Sequence, residues 1–91
     1  MLLLRRVGGK SLEPIYRHGQ LVLGLRTRRL RVGKIILFEH EGHEKLKLIT
    51  DVSSKKAFVE GTSHYSSDSH DFGWIDKTSI KAIIIWPRFK N

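Results

Sequence analysis

Three sets of side chains in this chain are of the types that together cleave acyl bonds. Ser11 follows the glycine pair Gly8-Gly9 and precedes Pro14. A nucleophilic serine needs such a setting: an exposed turn, backbone N–H groups that can face an oxyanion, and a base within reach. The plainer reading of Ser11 is a turn or helix-capping serine. The five histidines lie in turns and polar loops with no obvious Ser-His-Asp order, and lysine is the other candidate base. Lys47 sits between Leu46 and Leu48 on a run of period 2. A lysine in an enclosed, dry position can serve as a neutral amine; on an open strand it extends to water. The third set is Ser66, Asp68 and Ser69 in the loop before Phe72-Gly73, where short polar side chains can orient an amine or simply brace the loop.

The elements that must position these groups read as strands. Leu2 to Val7 is a short apolar-basic run, and Gln20 to Leu25, Lys34 to His40 and Lys45 to Thr50 follow it. Residues 40–44, HEGHE, supply a hairpin turn between the last two. On the returning strand Leu46 and Leu48 share one face, and Lys45, Lys47 and Ile49 share the other. Ala57 to Glu60, Phe72 to Ile75 and Ile80 to Trp86 complete the set, with Pro87 ending the last. Pro14 suits the first turn of a short helix, roughly Glu13 to His18. The expected architecture is mostly β: one domain, residues 1–91, a small coiled or barrel-like β-fold with one short helix after Ser11.

Composition narrows the functional classes. The 91 residues include no cysteine, which excludes a disulfide framework, a thiol nucleophile and a thiolate metal site. His40 and His43 are three apart with a glycine between them, which suits a turn better than a metal site. No metal or other cofactor is expected. No apolar run approaches the roughly 20 residues of a spanning helix. The net charge is +8, with 17 Lys and Arg against 9 acidic residues, and Arg26, Arg28, Arg29, Arg31 and Lys34 concentrate it. Such a cluster attracts phosphate or anionic headgroups, or serves only as a solvated loop.

Taken in order, Ser-x-x-Pro with Gly19 after it, the apolar-Lys-x-apolar strand at Leu46-Lys47, and Ser66-x-Asp68-Ser69-x-x-Phe72-Gly73 resemble the type I signal peptidase superfamily of Ser-Lys serine proteases. The resemblance runs from about Gly9 to Pro87 and extends to small members such as nickel superoxide dismutase maturation proteases; the self-cleaving domains of SOS-type repressors are more distant. It implies that Ser11 is the nucleophile and Lys47 the general base, with Lys45 a competitor that lacks the preceding apolar residue. Ser66 would orient the lysine amine, with Asp68 and Ser69 beside it. The Ser11 N–H, with Gly9 next to it, would form the oxyanion hole. The implied substrate is a signal-peptide- or propeptide-like segment cut after small residues. Departures from the family pattern are Gln20, Lys34 and Thr62 after their glycines, and His70 where arginine is usual. They leave a pseudoenzyme as the alternative: a basic β-module that binds nucleic acid or peptides. With ten residues ahead of Ser11, the expectation is a cytoplasmic or peripherally membrane-associated form, attached through a membrane surface or a membrane-protein partner.

Overall fold

A computed structural model describes residues 1–9, 12–62 and 72–88. Seven strands, β1 (Leu2–Arg6), β2 (Leu21–Leu25), β3 (Ile35–His40), β4 (His43–Val52), β5 (Lys56–Glu60), β6 (Trp74–Asp76) and β7 (Ile80–Trp86), form one sheet in the order β1-β2-β7-β3-β4-β5-β6. Every pair is antiparallel. The expected mostly-β architecture is therefore present. The sheet is open rather than a closed barrel, because β1 and β6 end it without pairing to each other.

Local chemistry explains most of the strands. Glu41 and Gly42, both at positive φ (51° and 80°), make the two-residue turn that matches the twist of the β3–β4 hairpin. The apolar run at Ile35, Ile36, Leu37 and Phe38 is buried at all four positions, as a central strand covered on both faces must be. Register irregularities between Leu23 and Gly24, Leu37 and Phe38, and Ile49 and Asp51 bend the sheet. A bent sheet lets its two faces gather separate cores. Ile36, Phe38, Ile49, Val59 and Ile83 belong to one; Val7, Leu12, Tyr16, Val22, Ile35 and Ile84 make the other. Ile49 joins the first core while Leu46 and Leu48 pack against the second, so the two faces of β4 divide as its alternation predicts.

The expected helix at Glu13 to His18 is absent. Residues 12–16 form turns with a single i to i+4 bond, from the Tyr16 N–H to the Leu12 carbonyl (3.0 Å). Two bonds close the ends of the segment: the Val7 N–H to the Gln20 carbonyl (2.8 Å) and the Gly19 N–H to the Val7 carbonyl (2.7 Å). A chain that must return so soon has no length for a propagating helix, and one turn recovers little of the nucleation cost. It is held instead by side chains, since Leu12 and Tyr16 are both buried. The one helical element among the described residues is a 3-10 turn at Lys77–Ser79.

Gly24 sets the spacing of β2 and β7. A Cβ there would sit 3.0 Å from the Ala82 Cβ and 3.5 Å from the Ile83 carbonyl oxygen. Gly24→Val is expected to force these strands apart and to cost about 1–3 kcal/mol, read as a lower denaturant midpoint at unchanged m-value.

Candidate active site

Lys47 is the one buried charged residue among the described residues, at 5% exposure. It pairs with Ile36 of β3, and Ile49 lies next on its face, which places its stem on the first core. Phe72 covers the same region. Its ring is edge-on to Phe38, with centroids 5.1 Å apart, and its face lies 5.6 Å from the Lys47 Nζ and 5.2 Å from the Lys45 Nζ. Contacts of this kind hold amines in place. Lys45, one step nearer the hairpin, is only half-buried. Of the two lysines, packing encloses Lys47.

A cleft of about 470 Å³ opens beside this strand. Lys45, Leu46 and Lys47 line it from β4, Arg5 from β1, and Gly8 and Leu12 from the turn that follows β1. Ser11 lies outside the described residues, as do Ser66, Asp68 and Ser69 and the altered position His70. Gly8 and Leu12 flank the serine turn. Thr62, which enters the 63–71 segment, donates its hydroxyl to the Glu13 carbonyl (3.2 Å), and Phe72, which leaves it, meets both β4 amines. The chain thus returns to the serine turn at one end of that segment and to Lys47 at the other.

Gly9 has φ +82° and donates its N–H to Nδ1 of His18 (2.8 Å). An Nδ1 that accepts this bond carries no proton, so the imidazole is the Nε2–H tautomer. The Gly9 amide, expected to help bind an oxyanion, already has an acceptor in this arrangement. Nothing in the sequence pattern pointed to His18 for this contact.

An ion cluster braces one wall. Arg5 grips Glu44 through Nε to Oε1 (2.6 Å) and Nη2 to Oε2 (3.1 Å). Lys81 reaches Glu44 Oε2 (2.9 Å) and Glu39 Oε1 (3.0 Å). Hydrogen bonds from Arg5 first and Lys81 second hold the Glu44 carboxyl down to about 2, against an ordinary 4.5. A carboxyl lowered on folding stabilises the protein in full above its unfolded value, and the contribution disappears as pH falls from about 4.5 to about 2. The Glu44 side chain is 31% exposed, so solvent screening reduces the contribution to about 1 kcal/mol. Glu44→Gln is expected to lower Tm by about 5 °C at neutral pH, with the difference vanishing toward about pH 2. Parallel thermal melts of the two proteins check this.

Among the described residues, no group of three His, Asp or Glu side chains is placed to hold a metal ion, and no helix is long and apolar enough to cross a membrane. Comparisons with protein-family models, with curated proteins and with solved structures return no match.

Proposed function

We propose that the protein is a serine endopeptidase with a Ser11–Lys47 dyad. The observation that carries the reading is Lys47, the one buried lysine among the described residues, beside a cleft that also touches Gly8 and Leu12, which bracket residues 9–11. In this mechanism the Lys47 amine, in its neutral form, takes the Ser11 hydroxyl proton as Oγ attacks the scissile carbonyl. The tetrahedral oxyanion is met by the Ser11 N–H. Gly9 can add a second donor only when His18 releases it. Collapse expels the amine half of the substrate, protonated by Lys47, and leaves an acyl-enzyme that a water activated by Lys47 hydrolyses. Ser66, with Asp68 and Ser69, orients the amine.

The cleft suits an extended peptide. Among the described residues β1 pairs only with β2, and β4 pairs with β5 only from Leu48 onward. Among the described residues the outer edge of β1 and the 43–46 edge of β4 have no strand neighbour, and both border the cleft. A substrate strand can pair with such edges, with main-chain bonds supplying affinity and shallow pockets the selectivity for small residues near the cut. The testing experiment is cleavage of a diverse peptide mixture by wild type and by Ser11 and Lys47 variants.

A further inference from the structure

The outward face of β1 and β2 carries leucines where solvent-facing strands ordinarily carry polar side chains. Register sets Leu2 opposite Leu25, Leu4 opposite Leu23, and Leu23 opposite Trp86 of β7, so all five share one side of the sheet. Leu2, Leu4 and Trp86 are 56%, 58% and 58% exposed, whereas Val22, on the other side of β2, is fully buried. Scattered surface leucines are ordinary, but a contiguous row ending in a tryptophan marks an interaction surface.

The rim of this face is cationic. Arg6 stands opposite Leu21 at one end. At the other, the Arg26 N–H bonds the Met1 carbonyl (3.0 Å). Arg26 and Arg28 border a depression with Leu30 and Ile80, which pack on the first core that Ile83, the β7 partner of Leu25, also joins. The only acidic residue before Glu39 is Glu13. A second copy of the chain would oppose two such arginine rims on proteins of net charge +8. A nucleic acid would satisfy the arginines and leave the leucines facing phosphate and water. A surface that combines an apolar interior with anionic headgroups matches both features.

We propose that this face docks on anionic phospholipid bilayers. The β1 and β2 leucines enter the acyl boundary, Trp86 sits at headgroup level, and the arginines meet lipid phosphates. Docking is independent of the peptidase reading, since it uses none of the residues assigned to catalysis. The cleft is lined by Arg5 from the other side of β1 and by Arg6 at the rim of this face.

The test uses the full chain carrying Trp74→Phe, which leaves Trp86 as its only tryptophan. It is mixed with vesicles of phosphatidylcholine alone or with about 30% phosphatidylserine. Cosedimentation with the anionic vesicles only, a blue shift of Trp86 emission and its quenching by brominated acyl chains are expected. Leu4→Thr with Leu21→Thr retains strand-compatible side chains and should lower partitioning about tenfold or more, with unchanged circular dichroism. The brominated-lipid result requires no leucine variant, so it stands even where the double variant misfolds. No partitioning at low salt overturns the proposal. So does binding with neither Trp86 quenching nor any effect of the leucine changes, which would mean adsorption by arginines alone. A lipid-free dimer lost in the leucine variant, without vesicle binding, gives the face to a second copy. Oligonucleotide binding lost in that variant, again without vesicle binding, gives it to nucleic acid.

Discussion

Incubated with a diverse peptide mixture at about pH 8.5, the wild-type protein is expected to generate new termini that Ser11→Ala and Lys47→Met do not. Removing either member of a nucleophile–base pair should lower the rate at least ~10³-fold, and removing both should cost little more, because the two act as a unit. Methionine is chosen at position 47 because it fills much of the stem's volume in the first core without an amine. Lys45→Ala is the internal control. Lys45 shares the Phe72 ring with Lys47 but is only half-buried, and it should retain most of the activity. Mass spectrometry of the products reads both the loss and the residues before each cut. Cleavage that survives Ser11→Ala would remove the serine mechanism. Cleavage that survives Lys47→Met but not Lys45→Ala would transfer the base to Lys45. Absence of cleavage by a folded wild type would favour the non-catalytic reading.

Phe38→Ala is expected to have the largest effect on stability. Phe38 is fully buried in the first core and meets Phe72 edge-on. Truncating it removes its transfer free energy and leaves a cavity in a sheet that cannot easily close, at about 3–5 kcal/mol. For a domain of this size that corresponds to a fall in Tm of roughly 15 °C or more. Phe72→Ala should cost less, because Phe72 is only partly buried. In the peptidase reading it should still lower the rate, since the ring rests on Lys47. Thermal melts and cleavage rates measured on both variants separate loss of packing from loss of positioning. A Phe38→Ala protein with an unchanged melt would mean that the first core contributes far less than its burial implies.

Local pattern made much of this fold legible. The β3–β4 hairpin follows from turn chemistry at Glu41-Gly42, and the division of β4 into a Leu46/Leu48 face and a Lys47/Ile49 face follows from its period of 2. The helix after Ser11 was misread because Pro14 is a local signal. The bonds joining Val7 to Gly19 and Gln20 bring together residues more than ten positions apart. The Arg5–Glu44 pair, 39 positions apart, had no sequence signature at all. His18 likewise carried no mark of its bond to Gly9.

The amino-acid sequence by itself determined the strands, the connecting turns and the pairing of opposite faces along each strand, because backbone preference and alternation act between near neighbours. Only the tertiary structure decided which faces are covered. Lys45 and Lys47 are indistinguishable by alternation, yet Phe72 and the first core enclose Lys47 and leave Lys45 half-open. Leu2 and Leu4 belong to an apolar-basic run whose pattern does not say which side is covered; they face outward, because the chain that buries the sheet's other side supplies Leu12 and Tyr16 there and the described chain places nothing over the leucines. Burial depends on what a distant segment brings to a face, and hydrophobic pattern specifies only that a face exists.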